Sequence, residues 1–142
     1  MATYTALNVL SSAVEEPKYN QFGLITEIYT VAMPVTLSAG DTVNGPILPA
    51  GCYLYDVALD STALDSNATP TIVLEAGYAG ALAAFVAGST VAQHGGRASS
   101  NVAGTLGFTA TTPTQLLVTV ATVAATKAAG TLRIAYTYTA SP

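Results

Sequence analysis

Residues 131–139 read TLRIAYTYT, and this stretch decides the fold. Every second residue in it is large and apolar, namely Leu132, Ile134, Tyr136 and Tyr138. The residues between them are mostly threonine, which suits an extended backbone. Side chains that repeat with a period of two point to opposite faces of a strand. The stretch therefore predicts a β-strand with one face on a core and the other toward solvent.

Alternation recurs upstream at residues 24–31 and 52–60, and residues 71–76, 105–109 and 115–122 also have strand character. Turn-forming residues separate these segments, as at residues 38–41 and 61–70. Residues 79–86 are alanine-rich and fit either a short helix or a strand, whereas the Gly, Ser and Asn content of residues 93–104 predicts an exposed loop. We expect an all-β fold, a single-domain β-sandwich or jelly roll of about seven to eight strands.

The chain has 142 residues, which fits one domain, and no spacer divides it. Residues 1–20 show no sustained period and end near Glu15-Glu16-Pro17, which opposes regular structure. We interpret residues 1–20 as an N-terminal arm and residues 21–142 as the β-sandwich domain.

Composition argues against two classes of partner. Hydrophobic residues make up 51% of the chain, but no apolar run reaches the roughly 20 residues of a membrane-spanning helix. The net charge is −4, and the four cationic residues are scattered along the chain. A nucleic-acid binder needs clustered Lys and Arg. We therefore expect neither a membrane nor a nucleic acid as partner.

The sequence gives little support for a catalytic site. His94 is the sole histidine, and no serine lies in a nucleophile motif. Asp56 and Asp60 share a predicted strand face but stand about 13 Å apart, too far for a glycosidase pair. Cys52 has no cysteine partner and begins an apolar strand pattern, so a buried position is expected. We predict no enzymatic activity and no cofactor.

A metal site is not expected either. Asp60, Asp65 and Asn67 could offer oxygens to calcium, but they lack EF-hand spacing and are ordinary turn formers.

Residues 44–51, Asn-Gly-Pro-Ile-Leu-Pro-Ala-Gly, are predicted to form a fixed loop because two prolines restrict φ. A preorganised loop orders at little entropic cost when a partner docks. The candidate docking residues are Pro46, Ile47, Leu48 and Pro49. The alternative is that the loop only joins the two sheets.

Three segments carry a family resemblance: residues 48–77, residues 84–96 and the closing strand at residues 130–139. Together they resemble small virion structural proteins of tailed bacteriophages, of the capsid decoration or cement type. The resemblance implies a protein that binds the major capsid protein lattice, as a homotrimer at or near three-fold positions. It also implies a place on the capsid exterior after assembly in the host cytoplasm.

Two other functions stay open. One is a head-fibre or tail-appendage component of the virion. The other is a carbohydrate-binding β-sandwich module, suggested by five tyrosines, Tyr53, Tyr55, Tyr78, Tyr136 and Tyr138.

Overall fold

The computed structural model describes residues 2–5 and 24–139, and those residues form ten strands and one short helix. The strands are β1 (Thr3–Thr5), β2 (Leu24–Met33), β3 (Thr42–Leu48), β4 (Tyr53–Ser61), β5 (Val73–Tyr78), β6 (Ala81–Ser89), β7 (Gly96–Ser99), β8 (Phe108–Thr109), β9 (Thr114–Thr122) and β10 (Gly130–Thr139). The helix α1 (Val91–His94) lies between β6 and β7.

The strands form two sheets. Sheet A has the order β1-β3-β9-β5-β6, and sheet B has the order β2-β10-β4-β7, with β8 also paired to β4. Apart from β1 and β8, the chain pairs its first strand with its last, β2 with β10, and then β3 with β9, β4 with β7 and β5 with β6. This nested pairing is the jelly-roll topology. The predicted all-β sandwich is confirmed.

The core lies between the sheets, and along β10 it follows the alternation read from the sequence. Leu132, Ile134 and Tyr136 of β10 are fully buried. They belong to one hydrophobic cluster with buried residues of sheet A such as Leu116 and Val118. Burial of each large aliphatic side chain stabilises the fold by roughly 1.5–3 kcal/mol relative to an exposed position. One core therefore serves both sheets.

The loop predicted over residues 44–51 is wrong for its first five residues, which belong to β3. The register of β3 with β9 shifts between Asn44 and Ile47, so a bulge accommodates Pro46 in the strand. At Gly45 an added Cβ would lie 2.7 Å from the Tyr136 hydroxyl oxygen, so a side chain there would collide with the core. Gly51, with a φ of +87°, turns the short remaining loop toward β4.

One other segment differs from expectation, and the structure decides a second segment whose conformation the sequence left open. The exposed loop predicted over residues 93–104 contains β7, whose Gly96–Ser99 pairs with the second half of β4. The alanine-rich segment is a strand, because β6 pairs with β5 through a tight turn at Gly80. Tertiary pairing here decides between conformations that the local sequence left open.

The arm predicted over residues 1–20 lies outside the described residues except at its start. There Thr3–Thr5 forms β1, which pairs in parallel with β3 at the edge of sheet A. Among the described residues, no helix has the length and apolar character needed to cross a membrane.

Candidate interaction surface

The residues considered for catalysis are scattered. His94 is exposed at the last position of α1, and Cys52 is buried in the core, where burial raises the pKa of its thiol. The Asp56 carboxylate accepts a hydrogen bond from the Ser100 hydroxyl at 2.7 Å. Asp60 is exposed on the outer face of sheet B, between register partners Arg97 and Arg133. Asp60 therefore belongs to a solvated row of charges on the sheet surface.

Two of the three residues considered for calcium, Asp65 and Asn67, have structural roles. Asp65 is 3% exposed, and its two carboxylate oxygens accept backbone N–H groups from Asn67, Thr71, Ile72, Ala125 and Thr126 at 2.8–3.3 Å. Burial by itself would raise the pKa of Asp65, but the backbone donors together hold that pKa well below its usual range. Within residues 2–5 and 24–139, no group of His, Cys, Asp and Glu side chains is arranged to hold a metal ion.

The four predicted docking residues do not act as one unit. Ile47 is 60% exposed, whereas the side chain of Leu48 is 1% exposed and belongs to the core. Pro46 is half-buried in the bulge and Pro49 is exposed in the following loop. The Gln115 side chain supports the bulge, since its Nε2 donates to the carbonyl oxygen of Gly45 at 2.6 Å. Ile47 is therefore the large apolar side chain that this segment presents on the surface.

Strand register places Ile47 at one end of the sandwich, which we call the apolar end. At this end β3 finishes beside the start of β9, and β10 finishes beside the starts of β2 and β4. The turn between β5 and β6 lies there too, because Tyr78 and Ala81 flank it. Of the eight large hydrophobic side chains exposed in the described chain, the apolar end carries six: Leu24, Ile47, Tyr53, Tyr55, Leu82 and Leu106.

A shallow cleft opens at the apolar end, with a volume of about 420 Å³. Its wall is formed by Tyr78, Phe108 and the loop that enters β9 at Pro113. The rings of Tyr78 and Phe108 are tilted, with centroids 5.2 Å apart, and both contact Phe85 of the core. The aromatic part of the cleft wall therefore packs against the core.

The opposite end of the sandwich is different in character. Loops that follow β4 and β9 meet there around Asp65, and their backbone groups are joined by hydrogen bonds such as Ser66 N–H to Thr126 O at 2.9 Å. In the part of the chain that the structure describes, Val35, 53% exposed in the loop after β2, is the large hydrophobic side chain exposed at that end. Among the described residues, the two ends therefore differ in the number of large hydrophobic side chains that they expose.

The five tyrosines that suggested carbohydrate binding are divided by the fold. Tyr136 and Tyr138 are buried, Tyr78 is half-buried beside the cleft, and Tyr53 and Tyr55 are exposed on the outer face of sheet B. They do not form one aromatic platform.

Sequence reasoning missed Leu82 and Leu106 as surface residues. A signal existed for Leu106, which is 71% exposed, because it is a lone leucine between Gly104 and Gly107 in a polar loop. No such signal marked Leu82, whose exposure depends on which face of β6 covers the core.

Solved structures of phage capsids resemble the chain. A chain of the capsid asymmetric unit of cyanophage Pam1 is 36% identical, with a TM-score of 0.74, covering 88% of this chain and 91% of that chain. The chain belongs to this family of phage capsid structural proteins. A chain of the capsid of Ralstonia phage GP4 shares the fold, with a TM-score of 0.82 over 97% of each chain at 22% identity. No family model and no curated protein matches the chain.

Membership of this family confirms the predicted resemblance to phage virion structural proteins, and it places the protein in the virion. For such a protein the exposed apolar end is the feature to explain, because large exposed apolar surfaces commonly mark sites of protein contact.

Proposed function

We propose that this protein decorates the phage capsid by binding the major capsid protein lattice through its apolar end. The proposed role is structural and involves no reaction catalysed by this chain. The observation that carries the proposal is the concentration of exposed Ile47, Tyr53, Leu82 and Leu106 at one end of the sandwich. Similarity to a chain of a phage capsid asymmetric unit supports a capsid partner.

The end that we assign to docking is well suited to it. Its exposed side chains project from strand ends and short loops, and the aromatic cluster of Tyr78, Phe85 and Phe108 supports the cleft wall. A rigid surface loses little conformational entropy when it binds, so more of the contact energy appears as affinity. Apolar and aromatic side chains at the centre of an interface usually dominate binding.

We further propose that the protein acts as a homotrimer on the capsid exterior, after assembly in the host cytoplasm. Only 8% of its residues are charged, and closed symmetry would cover apolar surface that a monomer leaves exposed. Sedimentation of the purified protein at micromolar concentration tests the oligomeric state. A trimer supports this part of the proposal, whereas a monomer contradicts a trimer that forms in solution and leaves assembly on the capsid.

The docking surface is tested by replacing Ile47 and Leu106 with serine together. Both side chains are largely exposed, so the melting temperature should stay close to that of the unchanged protein. Binding to undecorated heads, measured by co-sedimentation, should weaken about tenfold or more, because loss of central apolar contacts costs more than about 1 kcal/mol each. The control is Val35→Ser, which removes exposed apolar surface at the opposite end and should bind normally.

Normal head binding by the Ile47→Ser/Leu106→Ser variant would refute docking through the apolar end. Antibody labelling of particles tests the location in the virion. Label over the whole head supports decoration, whereas label confined to one vertex or to the tail would assign the protein to a fibre or tail appendage.

A further inference from the structure

The first strand of the chain, β1, pairs at the edge of sheet A, at a site that we call the β1 pairing site. β1 runs parallel to β3, with Thr3 opposite Thr42 and Thr5 opposite Asn44. The Thr42 N–H donates to the carbonyl oxygen of Ala2 at 2.9 Å, and the hydroxyl oxygens of Thr3 and Thr42 are 3.0 Å apart. Backbone bonds and one pair of hydroxyls therefore hold the strand.

The buried carboxylate of Asp41 also belongs to the β1 pairing site. Asp41 accepts the Ala2 N–H at 2.8 Å with one oxygen and the Ser38 N–H at 2.9 Å with the other. These two bonds, the one from Ala2 first, lower the pKa of Asp41 below its usual value although burial opposes them. The Ser38 N–H orients the carboxylate from within the same loop. The β1 pairing site is therefore formed by β3 and the turn before it, and β1 contributes no part of it.

The β1 pairing site offers the same contacts to the first strand of its own chain and to the first strand of a neighbouring copy. Eighteen residues, 6–23, connect β1 to β2. A chain of that length can span at most roughly 60 Å, whereas a domain of this size has a radius of gyration of about 14 Å. The β1 strand of one copy can therefore reach the β3 edge of an adjacent copy.

We propose that β1 is an exchanged strand: in the assembled oligomer, β1 of each copy pairs with β3 of the next. The partner is a second copy of this chain, and each copy supplies a strand to one neighbour and receives one from the other. Exchange forms the same hydrogen bonds as pairing within one chain, and it links neighbouring copies. The inference rests on the proposed function, because copies must meet in an oligomer for strands to exchange.

A disulfide between strand partners tests this exchange. The double variant Thr3→Cys/Thr42→Cys places two thiols where the hydroxyls are 3.0 Å apart, a separation that suits a disulfide after small adjustments. After oxidation, exchange predicts that most of the protein runs at dimer and trimer mass on a non-reducing denaturing gel. Pairing within one chain predicts monomer mass.

The matched control is Thr26→Cys/Thr137→Cys, whose hydroxyls are 3.1 Å apart across β2 and β10. Both strands belong to the core sandwich of one copy, so this pair should give monomer mass. Cys52 is buried and remains in every variant.

A second experiment covers the case in which the double variant does not fold. The single variants Thr3→Cys and Thr42→Cys are mixed, unfolded, refolded together and oxidised. Exchange predicts a covalent product that contains both variants, and its absence from properly folded protein would overturn the inference. Sedimentation of the same sample separates the two proposals, since a trimer whose links all lie within one chain refutes exchange and leaves the trimer intact.

Discussion

At the scale of single residues, Asp65 shows how a polar side chain can organise a β-sandwich. Its carboxylate satisfies backbone N–H groups from both the β4–β5 loop and the β9–β10 loop. A buried backbone donor that loses its partner is costly, so one acceptor that serves several donors holds both loops in place. The carboxylate oxygens that made Asp65 a candidate calcium ligand thus accept hydrogen bonds from the backbone of its own chain.

Replacing Asp65 with Asn should lower the melting temperature by several degrees at pH 7, because the amide NH₂ group faces backbone donors. The pKa of Asp65 is lowered by folding from its ordinary value of 3.8, so its contribution is present above about pH 4 and is lost as the pH falls further. The difference in melting temperature between the two proteins should therefore shrink below pH 4. Thermal unfolding from pH 7 to pH 2 measures it.

Asp60→Asn is the control, because that side chain is exposed on the outer face of sheet B and accepts no backbone donor of the described chain. Its melting temperature should match the unchanged protein at pH 7. If Asp65→Asn and Asp60→Asn had the same melting temperature at pH 7, the role assigned to the Asp65 carboxylate would be wrong.

At the scale of elements, the edge strand β6 is protected by a side chain. The Asn101 amide donates to the Ala87 carbonyl oxygen at 3.0 Å, and its oxygen accepts the Ala87 N–H at 2.9 Å. The Asn101 backbone N–H also donates to the carbonyl oxygen of Phe85 at 3.0 Å. Together these bonds occupy positions that another strand would use, and exposed strand edges otherwise promote aggregation.

We expect Asn101→Ala to destabilise the fold by about 1–2 kcal/mol, since two hydrogen bonds are lost, and to open the edge of β6. Aggregation at high protein concentration should increase, as followed by light scattering. Asn67→Ala is a matched control, because the Asn67 side chain also makes two hydrogen bonds, but in a loop. An equal tendency of the two variants to aggregate would show that the edge is not what Asn101 protects.

At the scale of the whole molecule, the jelly roll places distant parts of the chain together. Thr26 and Thr137, 111 residues apart, lie side by side on β2 and β10, and both sheets bury residues in the same core. A substitution that disrupts packing in either sheet should therefore destabilise the whole domain, because the inner face of each sheet is buried against the other sheet.

Ile134→Ala in sheet B and Leu116→Ala in sheet A should each cost about 2–5 kcal/mol, because both side chains are fully buried. Calorimetry should show one transition, shifted in both variants. The exposed Leu82→Ala should leave that transition nearly unchanged. Two transitions, with only one displaced by each core variant, would contradict a single cooperative unit.

The alternation at residues 131–139, together with the strand-like segments upstream, was enough to predict the fold class, and the apolar position of Cys52 was enough to predict a buried thiol. They work because the period of apolar residues reports which face of a strand is buried, and that is a local property. Which of Ile47 and Leu48 is exposed could not be predicted from the sequence, since it depends on the bulge that accommodates Pro46 in β3.

The sequence by itself determined that this protein is an all-β sandwich and which side chains of its cleanest strand enter the core. Only the tertiary structure decided the nested strand pairing, the inclusion of residues 44–48 in β3 and the gathering of Ile47, Leu82 and Leu106 at one end. The physical reason is that strand partners far apart in the chain leave no trace in the local pattern. Their choice depends on how two whole sheets pack around one core.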